Sequence, residues 1–252
     1  MFIRLRASAL YLAATATVAT LVFLLMRWLW YPGALFPAAG GRDLFFLISG
    51  VDLVLGPLIV FIIYRPGKKG LKFDLAAIGM VQLLALASGI WVLFESRPAY
   101  IVFIKDRFEL VRANDLAEED LAKVRNGPFA RAPRAGPRVV GALLPKDPNE
   151  QFRIGMAAMQ GGKDVHLLPQ YYVPYDELKG DVMLKAFPMA RLRSLNPSRT
   201  AEIDALEKRL GRGDADLRFL PMRAEKHDIT VILDNVSAEV VDLVDLRPWE
   251  FK

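Results

Sequence analysis

Two apolar runs, Leu44–Tyr64 and Leu75–Phe94, lie back to back, joined by a short basic connector, Arg65-Pro66-Gly67-Lys68-Lys69-Gly70-Leu71-Lys72. At 1.5 Å per residue, each run is about long enough as a helix to cross a hydrocarbon core of ~30 Å. The connector carries four cations and no anion before Asp74. The positive-inside rule keeps such a segment in the cytoplasm, and that choice orients everything else.

A third apolar run precedes these two. Ala7–Met26 has no charged residue across twenty positions, longer than the ~7–15-residue core of a signal peptide. Arg27, Trp28, Trp30 and Tyr31 follow, the residue types of an interfacial aromatic belt. The run is therefore read as a retained membrane helix in preference to a cleaved signal. Arg4 and Arg6 place the N-terminus in the cytoplasm. With Arg65, Lys68, Lys69 and Lys72 they oppose only Arg27 and Arg42 around the outer loop, Pro32–Arg42. The expected organisation is a three-helix transmembrane region over 1–98, with spans at about 7–26, 44–64 and 75–94. Residues 99–252 then form an extracytoplasmic domain. The third span ends at Phe94-Glu95-Ser96-Arg97-Pro98 with almost no linker, so this domain must sit close to the membrane surface.

The formal charge of +5 belongs wholly to residues 1–98, which hold nine Lys/Arg and four Asp/Glu; residues 99–252 hold 24 of each. A basic chain usually points to nucleic acid, but here the excess cations sit where membrane topology wants them, and no nucleic-acid partner is expected. There is no cysteine, which excludes disulfides, thiolate catalysis and cysteine-ligated zinc.

Residues 99–252 read as one small mixed α/β domain with a mainly antiparallel sheet. Tyr100–Ile104 and Phe108–Val111 flank Lys105-Asp106-Arg107 as a hairpin. Leu116–Arg125 is expected as a short helix capped by Asn114 or Asp115, with Glu118, Glu119 and Asp120 on its solvated face. Asn126–Pro137 is a Pro/Gly/Arg-rich loop and Arg138–Leu144 a buried strand. Pro148–Gln160 is a helix with Phe152, Ile154, Met156 and Met159 as its apolar set, ended by Gly161-Gly162. Asp176–Phe187 is a helix begun by an Asp cap. Ser198–Leu210 is a helix capped by Ser198 and stopped by Gly211, with Ile203, Leu206 and Leu210 as its stripe. Leu217–Met222, Asp228–Leu233 and Glu239–Leu246 are strands.

Within the spans, Asp52 and Gln82 stand out. An ionisable residue in hydrocarbon costs about 2.5–3.5 kcal/mol on insertion scales, which makes it a functional candidate by default. Counted from the outer helix ends, Gln82 lies about four residues deeper than Asp52, or ~6 Å by helix rise. Two readings stand side by side: Asp52 bonds Gln82 or Ser49 and locks the bundle, or it offers a polar contact to another membrane helix. Small residues recur at Ala9, Ala13 and Thr17 and at Ala85 and Gly89, and are read as packing the bundle.

No catalytic constellation is legible. His166 and His227 lack metal spacing. No Gly-x-Ser-x-Gly elbow occurs, and Gly162-Lys163 fails as a phosphate loop because Ala157 and Asp164 stand where Gly and Ser/Thr belong. No cofactor, metal or enzymatic activity is expected, which favours a binding or assembly role. The competing reading is a membrane-bound enzyme, which needs acid, base or nucleophile groups converging in the outer domain. A transporter is a third, but three spans with one central carboxylate make a poor pathway.

Several stretches together resemble the type IV pilin accessory protein family of the TfpX/TfpZ type. They are Ser49-Gly50-Val51-Asp52-Leu53-Val54-Leu55-Gly56-Pro57, the connector through Phe73-Asp74, Glu95-Ser96-Arg97-Pro98-Ala99-Tyr100, and the tail from Leu217-Arg218-Phe219-Leu220-Pro221 to Asp245-Leu246-Arg247-Pro248-Trp249. The resemblance spans almost the whole chain and is weakest over 113–195. It implies a multi-pass protein of the bacterial inner membrane with a periplasmic C-terminal domain. Its partners would be the type IV major pilin and inner-membrane pilus assembly proteins, within the lipid bilayer, and it would favour productive pilus assembly over pilin loss or retraction. The motif adds Gly50, Gly56 and Pro57 to Asp52 and Gln82 as candidate partner contacts. The 99–111 hairpin would add a strand-edge contact to a pilin head.

Overall fold

The computed structural model describes residues 1–124 and 127–250. Arg125, the expected end of one helix, and Asn126, the expected start of the following loop, lie outside them. Among the described residues, three helices are long and apolar enough to cross a membrane. They are α1 (Phe2–Leu25, extended by one wider π-helical turn over Met26–Trp30), α3 (Gly41–Ile63) and α4 (Leu71–Glu95). Each runs several residues past the apolar run read from the sequence at one end or the other. The connector between α3 and α4 is short, and Lys68 pairs with Asp74 across the start of α4 at 2.5 Å.

The remainder is a mixed sheet of eight strands with helices on its faces. The strands are β1 (Pro98–Ile104), β2 (Arg107–Arg112), β3 (Arg138–Ala142), β4 (Tyr172–Pro174), β5 (Phe187–Pro188), β6 (Leu217–Arg223), β7 (Ile229–Asp234) and β8 (Val240–Val244). Their order is β4-β3-β1-β2-β6-β7-β8, with β5 beside β6. The contacts β1–β3 and β2–β6 are parallel and the others antiparallel.

Every residue of β1 is buried, because both faces of the sheet are covered. Ile101 and Phe103 belong to one apolar core; Tyr100, Val102 and Ile104 belong to another, with Ile154 of α6 (Pro148–Met159). A third core lies beneath α8 (Met189–Leu195), which has no counterpart in the sequence reading, and α9 (Thr200–Leu210). The hairpin is therefore the centre of the sheet. The strand order ends on β4 and β8, and among the described residues β5 pairs only with β6. β1 is paired on both sides and β2 meets β6 through Phe108 and Glu109, so the hairpin is not the sheet edge expected of it.

The outer loop also departs from expectation. It is not a bare connector but contains α2 (Leu35–Ala38), whose Leu35 and Ala38 are fully buried in the same core as Phe103, Phe108, Leu220 and Met222. A second cluster at the domain end of the spans unites Met26, Tyr31, Phe45 and Leu93. The Tyr31 hydroxyl donates to the Leu93 carbonyl at 3.3 Å. Beside it, Arg97 is buried where α4 hands over to β1. Its guanidinium stacks 3.7 Å from the Phe94 ring centroid and donates to the carbonyls of Phe94 and Pro133. Membrane bundle and sheet domain are thus one packed body, without a tether.

Some local expectations are corrected. Asp115 does not cap the helix expected after it. Its carboxylate accepts from the Arg112 backbone N–H at 2.9 Å, boxing the short 3-10 turn Ala113–Asp115, and forks onto the Arg112 guanidinium at 2.9–3.1 Å, while α5 spans only Glu118–Lys123. Asp120 is not on a solvated face: it is buried, and bonds Lys123 at 2.7 Å and Lys163 at 2.5 Å. Of the apolar set on α6, only Ile154 is buried, while Phe152 and Met159 are strongly exposed. Asp176 pairs with Lys179 at 2.6 Å and lies inside a 3-10 turn, Tyr175–Leu178, that runs into α7 (Lys179–Lys185), so the expected helix starts one residue earlier, with no Asp cap, and ends at Lys185. Ser198 gives no cap hydrogen bond to α9, although Gly211 ends that helix in the left-handed conformation as expected.

Candidate functional site

The spans are not packed equally. α1 and α4 each pack mainly on α3, and the space between them is a groove of about 240 Å³ lined by all three helices. Its walls are mostly aliphatic. Its polar side chains include Tyr11 of α1, Ser49 and Asp52 of α3, and Gln82 of α4.

One glycine sets the geometry. A Cβ on Gly56 would lie 2.4 Å from Gln82 Nε2 and 2.8 Å from Tyr11 Cε1, so glycine here lets the Gln82 amide and the Tyr11 ring lie against α3, and any side chain would push both aside. Gln82 therefore sits one helical turn along α3 from Asp52, matching the depth offset read from the sequence. Pro57 is buried beside this crossing, and the Ser8 hydroxyl donates to its carbonyl at 2.8 Å, stitching α1 to α3. Gly89 plays the corresponding part at the domain end, where an added Cβ would meet Ile48 Cγ2 at 2.4 Å.

Asp52 and Gln82 line the same groove, yet they do not lock each other. Among the described residues, Asp52 has neither a hydrogen bond nor an ion pair, to Gln82, Ser49 or any other residue. Gln82 Oε1 is buried with no hydrogen-bond donor. In hydrocarbon an unpaired polar group is costly, so the groove holds two acceptors with their bonding capacity unspent. Gly50, by contrast, faces open space, with nothing within 4 Å of an added Cβ. The small residues Ala9, Ala13, Thr17 and Ala85 are exposed on the bundle surface; the expectation that they pack the three helices together holds only for Gly89. Tyr11 was missed in the sequence, where an aromatic hydroxyl inside an otherwise uncharged span was the available signal.

Among the described residues, no three His, Asp or Glu side chains come together in a way suited to a metal ion. Outside the membrane, the most perturbed carboxyl is Glu109 on β2. Burial pushes it up to about 7, against the opposing pull of Arg223 and Arg107. It faces Arg223 across the parallel β2–β6 pairing, with no hydroxyl nucleophile bonded to it among the described residues.

Three curated proteins of Dichelobacter nodosus are similar to this chain. Two fimbrial assembly proteins, of serogroup I and serogroup E1, are each 24% identical over 246 residues, covering 96% of this chain and 95% of the relative. The fimbrial assembly protein of serogroups C1 and C2 is 34% identical over 116 residues, which is 45% of this chain and 88% of that relative. No protein-family model matches the chain. No solved structure matches it either.

Proposed function

The chain belongs to the family of fimbrial assembly proteins, and from that premise we propose that it acts as a non-enzymatic accessory factor in type IV pilus assembly. In this reading it resides in the inner membrane with its α/β domain in the periplasm, and it engages the major pilin. It promotes assembly over pilin loss or retraction.

The observation that carries the proposal is the groove between α1 and α4. It is mostly apolar and lined by all three spans. It holds two acceptors, on Asp52 and Gln82, that the protein itself leaves unbonded. A single pilin membrane helix offering a hydrogen-bond donor at that depth fits such a groove, since interhelical hydrogen bonds and close small-residue packing are what join helices in lipid. Gly56 and Pro57 shape the groove. Gly50 faces away from it and has no part in this contact. The domain, fused to the bundle through α2 and Arg97, is held where a pilin head beside the same membrane would meet it.

The first experiment compares sheared surface pilin in a deletion strain with that in a strain also lacking the retraction ATPase. Loss of pili in the single mutant with recovery in the double places the protein in the assembly–retraction balance. Loss in both makes it an assembly part or pilin stabiliser. Unchanged piliation in both overturns the reading and brings back the enzyme alternative. Asp52→Ala tests the groove itself: pilin crosslinking to α3 falls if the contact is right and stays at the wild-type level if it is wrong.

A further inference from the structure

The segment 127–138 reads Gly-Pro-Phe-Ala-Arg-Ala-Pro-Arg-Ala-Gly-Pro-Arg, with three arginines and no acidic residue. The fold pins it against the ends of the spans. Arg97, just past α4, donates to the Pro133 carbonyl at 2.7 and 3.0 Å. An added Cβ on Gly136 would lie 3.1 Å from the Leu29 carbonyl at the end of the first span. Further along, the Tyr100 hydroxyl donates to the Arg131 carbonyl at 3.0 Å, and the Phe129 ring packs on Tyr100 and Tyr172. The loop is therefore held at the height where α1 and α4 leave the hydrocarbon. Trp28 and Trp91, both largely exposed on the same ends of the spans, mark that height as an aromatic belt.

The arginine side chains project from this fixed backbone. Arg131, Arg134 and Arg138 are exposed and line one cleft of about 590 Å³. Among the described residues none of the three has an ion pair or a side-chain hydrogen bond. The nearby Arg97 guanidinium is bonded to carbonyls alone and adds to the positive potential, Arg134 lying within its electrostatic reach; Glu95 is the acidic group near Arg97. Many of the domain's other arginines are neutralised: Arg112, Arg193, Arg199, Arg209 and Arg212 all meet carboxylates. Three unpaired guanidinium groups gathered at a bilayer surface match phosphate, which guanidinium binds through two parallel hydrogen bonds.

We propose that this cleft binds the phosphate of an anionic phospholipid in the leaflet on the domain side, seating the domain on the membrane. The site makes no use of the groove or of any fimbrial partner. In the test, the full-length protein in a neutral detergent is titrated with phosphatidylglycerol and with phosphatidylcholine, and bound lipid is measured by native mass spectrometry. Wild type binds phosphatidylglycerol saturably and in preference. Each Arg→Gln change at 131, 134 or 138 weakens that binding roughly five-fold and the triple variant roughly a hundred-fold. Inorganic phosphate at matching concentration does not displace the lipid. Wild-type affinity in the triple variant overturns the proposal and leaves the arginines for an acidic protein surface. Equal binding of both lipids overturns it, as does full displacement by inorganic phosphate. Arg134→Gln alone, at an exposed side chain, keeps the test decisive should the triple variant fail to fold.

Discussion

The backbone amide of Lys226 donates to the carbonyl of Ala38 at 2.9 Å. This one bond joins the turn between β6 and β7 to the loop between the first two spans. The Lys226 side chain lies along the same loop, 3.2 Å from where a Cβ on Gly40 would stand. Gly40 is in the left-handed conformation at φ 77°, as the tight turn from α2 into α3 requires.

This junction predicts that the sheet domain depends on the loop. Leu35→Ala removes a fully buried side chain from the core shared with Phe103 and Met222. It is expected to cost about 2–4 kcal/mol, read as a lower midpoint for the domain's unfolding. Residues 99–252 expressed alone would expose the socket for Leu35 and Ala38 and bind an apolar dye. A fragment that melts like the intact domain and binds no dye would contradict this.

Gly56 and Gly50 should behave oppositely. Gly56→Val drives a side chain into Gln82 and Tyr11 and is expected to destabilise the bundle by about 1–3 kcal/mol or force the helices apart. Gly50→Ala enters open space and should be tolerated. Thermal unfolding of both variants in detergent checks the pair, and equal effects would refute the assigned packing.

Asp120 is a buried carboxylate held by two lysines. Burial raises its pKa, but the hydrogen bonds from Lys123 and Lys163 outweigh this and hold the carboxyl below its ordinary range. A lowered folded pKa means stability that is present above the unfolded value, ~3.9, and lost as pH falls through the folded one. Asp120→Ala leaves Lys163 with the exposed Glu119 alone and empties a buried site; it should cost about 1–3 kcal/mol at neutral pH, with a shallower loss of stability below pH 4. Denaturant titrations at pH 7 and pH 3 measure both.

Glu109 has the opposite sign. Its folded pKa is raised to about 7 by burial, so the folded domain keeps a proton that the unfolded chain has lost. Stability should fall as pH rises from about 4.5 to 7. Glu109→Gln should remove that slope and gain about 1–2 kcal/mol at pH 8, a figure discounted for the partial exposure of this side chain. Melting curves at pH 5 and pH 8 for both proteins test it; parallel pH profiles would count against it.

The membrane half was largely legible because its rule is local. In lipid, a helix satisfies its own backbone, so length, apolarity and flanking cations suffice to find α1, α3 and α4. The depth offset between Asp52 and Gln82 follows from helix rise alone. The strands of the C-terminal hairpins and the α9 stripe with its Gly211 stop are equally local patterns.

Contacts between distant segments were decided elsewhere. Nothing in Pro32–Arg42 marks Leu35 and Ala38 as core residues of a sheet that begins sixty residues later. Nothing in Glu118-Glu119-Asp120 tells the buried carboxylate from its solvated neighbours, because Lys163 arrives only on folding. Phe152 and Met159 carry the apolar pattern of a buried helix face, yet α6 buries only Ile154 because no element among the described residues covers the rest. Length, hydropathy and charge thus determined that the chain threads a membrane and carries an α/β domain. The tertiary structure decided that the two are one body, that the hairpin lies mid-sheet, and that Asp52 and Gln82 share a groove without bonding each other. The physical reason is that burial and hydrogen-bond satisfaction belong to surroundings assembled from remote parts of the chain, and no local pattern encodes them.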